Sequence, residues 1–269
     1  CAGGLAPRGS TVARETMGLM RGIVASDEMA ALGPERVWVE TERALGEDRP
    51  QVYFEVLREC GALAVVFPEI AALYGVPQPE KWHPEIDTGV HTMQVLEVAT
   101  ELSRDTTVRF AALVHDVGKG LTPRDAWPGH FGHEEAGARL IEKLADRLRI
   151  PTEHRELAIL VARYHAGVHR VAEQRPATVL ELLERTDAFR RPDRFERLLL
   201  ACAADARGRG PERRAAPYPQ ADLLRQARAA AAAVKLDPQV LAREAGPIIA
   251  ERVRAARIEA IRSMKRIRK

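Results

Sequence analysis

Apolar residues recur every three or four positions along most of the chain, which is the pattern of amphipathic helices. The segment TVARETMGLMRGIVASDEMAALG places two methionines and Ile23 on one face and ends at Gly33. PERVWVETERAL opens with a proline, which fits the first turn of a helix. VYFEVLRECGALAVVFPEI predicts another helix, interrupted near Gly61 and stopped near Pro68. No segment alternates apolar and polar residues over a useful length, so the sequence predicts an all-α protein.

A second series of helices follows a proline-rich stretch, YGVPQPEKWHPEID, which has no periodicity and predicts a linker or an ordered loop. Helices are expected at about 89–102, 107–117, 134–149, 152–165, 177–187 and 193–205. After a second break, RGRGPERRAAPYPQ, two further helices are predicted for ADLLRQARAAAAAVK and EAGPIIAERVRAARIEAIRSMK. We therefore expect a helical region at 1–80, a helical bundle at 81–210 and a helical tail at 211–269.

The composition is that of a globular protein, with 46% hydrophobic and 29% charged residues. Three widely spaced cysteines argue against a disulfide framework or a cysteine zinc site, and they suit a reducing cytoplasm. No apolar run reaches transmembrane length, so no membrane association is expected. The net charge of +3 does not by itself indicate a nucleic-acid partner. The segment 251–269 is nevertheless basic, with eight Lys or Arg against two Glu.

Residues that commonly bind metals interrupt several apolar helix faces or stand at helix ends. They are His91, His115, Asp116, His133, His165 and Asp205. A buried polar group is costly without a partner. For any single histidine, a hydrogen-bonded core position is the simpler interpretation. Several histidines and two carboxylates in one helical region favour a shared metal.

The donor types limit the metal. Imidazole nitrogen and carboxylate oxygen together suit Zn, Ni, Mn or Fe, whereas Mg prefers oxygen alone. Among the other histidines, His130, His154 and His169 are expected in solvated loops or on the surface. His83, which precedes a proline, is expected to be structural.

The order of His91, the His115-Asp116 pair and Asp205 resembles that of the histidine-aspartate (HD) metal-dependent phosphohydrolases. HDVGKG is similar to their H-D-x-G-K motif. The resemblance implies that these four residues are metal ligands and that Lys119 approaches a substrate phosphate. It also implies hydrolysis of phosphomonoesters or cyclic phosphodiesters by a divalent transition metal.

A second metal follows from a further resemblance. HEEAGARL is similar to the H-x-x-x-G-A element of HD enzymes that carry two ions. This implies that His133 and His165 are additional ligands and that Asp116 bridges the two ions. Two alternatives stay open for His133, which are contact with the substrate and capping of its own helix.

Most of the chain resembles the bacterial CCA-adding enzymes (tRNA nucleotidyltransferases). HPEIDTGVHTMQVLEVATELS, VRFAALVHDVGKGLTP and WPGHFGHEEAGARLIEKL resemble their HD domain. ERVWVETERAL resembles the neck, with Arg36 and Glu40 as its charged pair, and ECGALAVVFPEIAALYGVPQP resembles the body. EAGPIIAERVRAARIEAI resembles the tail. By resemblance, 1–80 is the neck and body, 81–210 the HD domain and 211–269 the basic tail.

The resemblance implies tRNA as a partner. The implied substrates are 2′,3′-cyclic nucleotides, 2′-nucleotides or RNA 3′-end phosphates, and nickel is among the implied metals. The implied RNA-binding residues are Arg36, Arg252, Arg254, Arg257 and Arg262. A solvated face favoured by the helix dipole is the alternative for the tail arginines.

In that family, nucleotidyl transfer belongs to an N-terminal head domain with an Asp-x-Asp pair that holds magnesium. This sequence contains no Asp-x-Asp and begins with Cys1. We therefore expect no CCA addition by this chain alone, and a separate head domain is a candidate partner. A naturally split protein and a truncated one both stay open, as does the oligomeric state. The rival interpretation is a tRNA-binding module with a vestigial HD site that serves such a head.

Overall fold

The computed structural model describes residues 12–26, 29, 32–81, 84–236 and 246–264. Every regular element in these ranges is helical, apart from one isolated antiparallel β-bridge between Pro77 and Asp87. The all-α prediction is confirmed. His83 and the last basic residues, 265–269, lie outside the described residues.

The chain forms two compact units, Cys1–Arg163 with Leu200–Ala216, and Tyr164–Leu199 with Pro217–Lys269. The first contains α1 (Arg14–Ala25), α2 (Pro34–Gly46), α3 (Pro50–Glu59), α4 (Ala62–Val66), α5 (Pro68–Ala71), α6 (Thr88–Leu102), α7 (Thr106–Val114), α8 (His133–Leu148) and α12 (Pro211–Arg214). The second contains α10 (Pro176–Arg185), α13 (Pro219–Ala232) and α14 (Gly246–Arg262). Two helices continue from one unit into the other, α9 (Thr152–His169) and α11 (Pro192–Arg207). The three-part division into 1–80, 81–210 and 211–269 stays a prediction.

Prolines start many of these helices because a proline lacks only an amide hydrogen that the first turn would leave unbonded. They are Pro34, Pro50, Pro68, Pro176, Pro192, Pro211 and Pro219. Pro68, where the sequence predicts a stop, begins the short helix α5. The predicted interruption near Gly61 is present, since Gly61 has a φ of 85° and separates α3 from α4.

Helix α7 forms the centre of the first unit. Eight of its residues, from Thr107 to Val114, are buried, as expected for a helix surrounded by other elements. The buried guanidinium of Arg109 donates to the carbonyl oxygens of Leu45 at 2.6 Å and Glu47 at 2.8 Å. It therefore satisfies backbone acceptors at the end of α2 and fixes α7 beside that helix.

A close approach of two backbones joins α8 to the turn that follows α7. That turn is a 3-10 helix, Val117–Leu121. A Cβ atom on Gly118 would lie 2.0 Å from the carbonyl oxygen of His133 and 2.6 Å from the amide nitrogen of Gly137. Only glycine fits there, and the contact holds Lys119 and His133 in neighbouring positions.

In the second unit, α13 and α14 contact each other and both contact α10. Among the described helices, none has the length and apolar character needed to cross a membrane.

Candidate metal centre

Three helix ends bring a group of possible ligands together in the first unit. His91 lies in the first turn of α6, His115 directly follows α7, and Asp205 lies in the last turn of α11. One ligand atom from each residue lies within 4.8 Å of the others, and all three side chains are buried. His91 Nε2 lies 3.2 Å from Asp205 Oδ1.

Asp116 adjoins this group and links it to His133. Its Oδ2 lies 3.1 Å from His115 Nε2, and its Oδ1 lies 3.4 Å from His133 Nε2. Burial by itself raises the pKa of Asp116, but the positive charges of His115 and Lys119 outweigh it and hold the pKa well below its ordinary value. Asp116 is therefore an anion, as a metal ligand must be.

The three histidines have the same orientation toward the cluster. The Nδ1 atom of His115 hydrogen-bonds to the Ala112 carbonyl oxygen at 2.7 Å, and that of His133 to the His130 carbonyl oxygen at 2.7 Å. A carbonyl only accepts, so Nδ1 carries the hydrogen and Nε2 faces the carboxylates. His91 Nδ1 lies 2.9 Å from Glu85 Oε1, whose side chain is buried. Such outer oxygens are typical of metal-binding histidines.

The carboxylates favour a positive charge on the Nε2 side of the rings. Burial lowers the pKa of His115, but Asp116 and Asp205 raise it more, and the net pKa is above its ordinary value. His133 behaves in the same way, since burial lowers its pKa and the Asp116 contact raises it above the ordinary value. Either a proton or a metal ion at Nε2 would supply this positive charge.

Lys119 is buried in the 3-10 turn after Asp116, where the sequence predicts it to be one helical turn past His115. Its Nζ donates to Asp116 Oδ2 at 2.6 Å and to Gln78 Oε1 at 2.6 Å. Lys119 is therefore fixed beside the carboxylate that adjoins both histidines.

Sequence reasoning missed Glu85, Gln78 and Arg209. The first two lie in the proline-rich stretch that predicts only a linker or loop. Arg209 follows Asp205 by four residues and donates from Nη2 to both of its carboxylate oxygens, at 3.1 and 3.3 Å. The i, i+4 spacing is the one signal that could have indicated Arg209.

Comparison with known proteins identifies two matching families. Residues 88–207 match the HD domain, and residues 11–74 match the family described as the probable RNA- and SrmB-binding site of polymerase A. The multifunctional CCA protein of Nitrosococcus oceani is 58% identical over 252 residues, which are 93% of this chain and 62% of that protein. That of Thioalkalivibrio sulfidiphilus is 57% identical over 258 residues, 96% of this chain and 63% of that protein.

Over 93–96% of its length the chain is therefore similar to multifunctional CCA proteins. It spans slightly less than two thirds of the length of these two relatives. All candidate metal ligands in the first unit lie within residues 88–207, which match the HD domain. Arg36 lies within residues 11–74, which match the RNA-binding family.

His133 belongs to the first compact unit and His165 to the second. His133 is the first residue of α8, and Gly132 occupies the cap position, so the capping alternative is wrong. His165 is buried on α9, two residues after Arg163, where the second unit has begun. Its assignment as a metal ligand stays a prediction.

Two of the three histidines expected to be solvated, His130 and His154, are buried, and the expectation is corrected for them. His130 is buried, with Nδ1 2.6 Å from Thr122 Oγ1 and Nε2 2.7 Å from the Pro77 carbonyl oxygen. His154 is buried and hydrogen-bonds to Thr106 at 3.0 Å. His169 is partly buried and hydrogen-bonds to Tyr218 at 2.8 Å. The local sequence around these histidines indicates a loop or a helix end. It does not show which imidazoles hydrogen-bond to residues far away in the chain.

The candidate RNA-binding arginines are placed as follows. Arg36 is exposed on α2 and, with Glu40, lines a mainly apolar cavity of about 340 Å³. On α14, Arg252, Arg254 and Arg262 are exposed. Arg257 is partly buried, with its guanidinium 4.6 Å from the centre of the Phe189 ring. Their role in RNA binding stays a prediction.

Proposed function

We propose that the chain is a metal-dependent phosphohydrolase that acts on 2′,3′-cyclic nucleotides, 2′-nucleotides or RNA 3′-end phosphates. The observation that carries the proposal is the buried group of His91, His115 and Asp205, with Asp116 beside it. The match of residues 88–207 to the HD domain supports the same reaction class.

The donor set fits a divalent transition metal. Two imidazoles and two carboxylates suit Ni, Mn, Zn or Fe better than Mg. The Nδ1 contacts orient the rings, and the low pKa of Asp116 keeps it ionised. When bound, such an ion lowers the pKa of water and neutralises charge on a phosphoryl oxygen.

The remaining residues act on the substrate by position and charge. The Lys119 ammonium supplies a fixed positive charge for a phosphoryl oxygen. Asp116 holds that ammonium through a 2.6 Å contact and so orients it. We assign His133, together with Asp116 and His165, to a second cation. The burial of His165 and the 3.4 Å contact between His133 and Asp116 support this assignment.

The test is elemental analysis of the purified chain, followed by hydrolysis of 2′,3′-cyclic AMP with and without chelator. Asp116→Asn should lose about a thousandfold or more in rate, since it removes the negative charge between both histidines. Asp146→Asn is the matched control, because Asp146 is exposed on α8 and pairs only with Arg155 among its described contacts. Activity that chelator leaves unchanged, or no hydrolysis by the wild-type chain after a divalent transition metal is supplied, would refute the proposal.

We also propose that the chain binds tRNA, because 11–74 match an RNA-binding family and the α14 arginines are largely exposed. Phosphate contacts make such binding strongly salt-dependent. Replacing Arg252, Arg254 and Arg262 by Gln should weaken tRNA binding and reduce the slope of log affinity against log salt by about three. An unchanged slope would show that these arginines form an ordinary solvated face.

A further inference from the structure

The amide group of Gln78 has a buried hydrogen-bond donor that no described residue of the protein accepts. The side chain is 2% exposed, and its Oε1 accepts from Lys119 Nζ at 2.6 Å. An ammonium group only donates, so Oε1 must face Lys119, which places the amide nitrogen on the other branch. Among the described residues, none accepts a hydrogen bond from the buried Nε2. A buried donor without an acceptor is costly and calls for an explanation.

The backbone around Gln78 is held on both sides. The Gln78 amide donates to the Ile86 carbonyl oxygen at 2.7 Å. The preceding carbonyl, that of Pro77, lies 2.7 Å from His130 Nε2. Val76 accepts from both the amide and the hydroxyl of Thr88, at 3.0 and 2.8 Å. These hydrogen bonds fix the loop, so the loop cannot shift to give the Gln78 Nε2 donor an acceptor. The side-chain amide is therefore in position before a ligand binds.

Lys119 offers a second donor beside it. Its ammonium has three hydrogens, and two are directed to Gln78 Oε1 and Asp116 Oδ2. The third hydrogen and the Gln78 amide hydrogens are thus adjacent donors next to the candidate metal centre. The positive charge of the ammonium favours an anionic acceptor, and a phosphoryl group is small, anionic and has several oxygen acceptors for these donors.

We propose that Gln78 donates from Nε2 to a phosphoryl oxygen of the substrate, so that Gln78 and Lys119 bind the phosphate together. This inference rests on the proposed phosphohydrolase function. The competing role is indirect, in which Gln78 only orients Lys119 through Oε1. If Gln78 contacts the phosphate directly, replacing it still weakens phosphate binding in a variant without Lys119. If Gln78 only orients Lys119, its replacement has no effect in that variant.

A double-mutant cycle separates them. The variants are Gln78→Met, Lys119→Met and the double variant, and the readouts are metal content, the inhibition constant of inorganic phosphate and KM for 2′,3′-cyclic AMP. Gln78→Met should raise the phosphate inhibition constant about tenfold, with metal content unchanged, and should raise it again by a similar factor in the Lys119→Met background. Gln51→Met is the matched control, since Gln51 is buried on α3 and no described contact joins it to Lys119.

Gln78→Glu keeps an oxygen for Lys119 and tests the same idea if the methionine variant does not fold. It should weaken phosphate binding further, because an oxygen replaces the donor and repels the anion. Loss of the Gln78→Met effect in the Lys119→Met background would overturn the direct contact, as would wild-type phosphate affinity in Gln78→Glu. If the wild-type chain hydrolyses the substrate while the Gln78 variants bind phosphate normally, only this inference fails. A wild-type chain without metal or hydrolysis removes the proposed function as well.

Discussion

Glu85 and His91 are joined at 2.9 Å between Oε1 and Nδ1, although Glu85 lies before α6 and His91 lies in its first turn. Asp87 makes this possible. Its carboxylate accepts from the Val90 amide at the start of α6 and from the Gly75 amide at 2.6 Å. The loop is thereby folded back onto the helix, and the buried Glu85 carboxylate fixes the orientation of the His91 ring.

Removal of the Glu85 carboxylate should therefore weaken metal binding without removing a ligand. We expect Glu85→Ala to lower metal affinity about 10- to 100-fold, measured by competition with a chromogenic chelator. Glu80→Ala is the control, because Glu80 is exposed on the same loop. Equal affinities in the two variants would show that Glu85 does not act on His91.

Gly118 is predicted to be intolerant of substitution. In Gly118→Ala, the new methyl group would meet the His133 carbonyl oxygen and the Gly137 amide, which are backbone atoms that cannot rotate away. We expect a loss of about 1–3 kcal/mol or more in the free energy of unfolding, measured in urea. Gly22→Ala is the control, since a Cβ there meets nothing within 4 Å and should be neutral or stabilising. Equal unfolding midpoints for the two variants would contradict the close approach.

The sequence predicted the helices, and it indicated the residues that the structure brings together as candidate ligands in the first unit, because both follow from local patterns. His91, His115 and Asp205 stand at ends of apolar helices, where a metal-binding residue is conspicuous. Glu85 and Gln78 lie in a stretch without periodicity, and their partners are fixed only by the fold. Gln78 and Lys119, for example, are 41 residues apart in the chain. The buried state of His130 was missed for the same reason.

The stability of the metal-free chain should depend on pH through the cluster around Asp116. The pKa values of His115 and His133 are raised by the carboxylates, against the lowering effect of burial. Their contribution to stability is fully present below about pH 6.5 and is lost as the pH rises through the raised values. The lowered pKa of Asp116 contributes stability above about pH 3.9 that is lost only in stronger acid.

We therefore expect the stability difference between the wild-type chain and Asp116→Asn to shrink between pH 6 and pH 8.5 in the presence of chelator. The measurement is urea denaturation at both pH values. Comparing the two chains cancels the pH dependence that comes from ionisable groups outside the cluster. Added metal should have the opposite dependence, because it competes with protons for the histidines. A difference that grows with pH in chelator would contradict the assigned directions.

Nucleotidyl transfer is a separate expectation. The 269 residues contain no Asp-x-Asp pair to hold two magnesium ions. We expect no incorporation of CMP or AMP into tRNA that lacks its terminal CCA, measured with labelled nucleotides and a full-length family member as the positive control. Template-free addition by the purified chain would overturn this expectation.

The number of metal ions can be tested through His133. Its Nε2 lies 3.4 Å from Asp116 Oδ1, whereas His115 faces the other carboxylate oxygen, Oδ2, at 3.1 Å. The two oxygens of one carboxylate thus face two different imidazoles, which is the arrangement that a bridging ligand requires.

If His133 holds a second ion with His165, His133→Ala should lose one metal equivalent in elemental analysis and keep the other. Asp146→Asn is the control, because Asp146 is exposed on α8, the helix that His133 begins, and lies outside the ligand set. Unchanged metal content in His133→Ala would leave a single ion held by His91, His115, Asp116 and Asp205, and His133 would then contact the substrate.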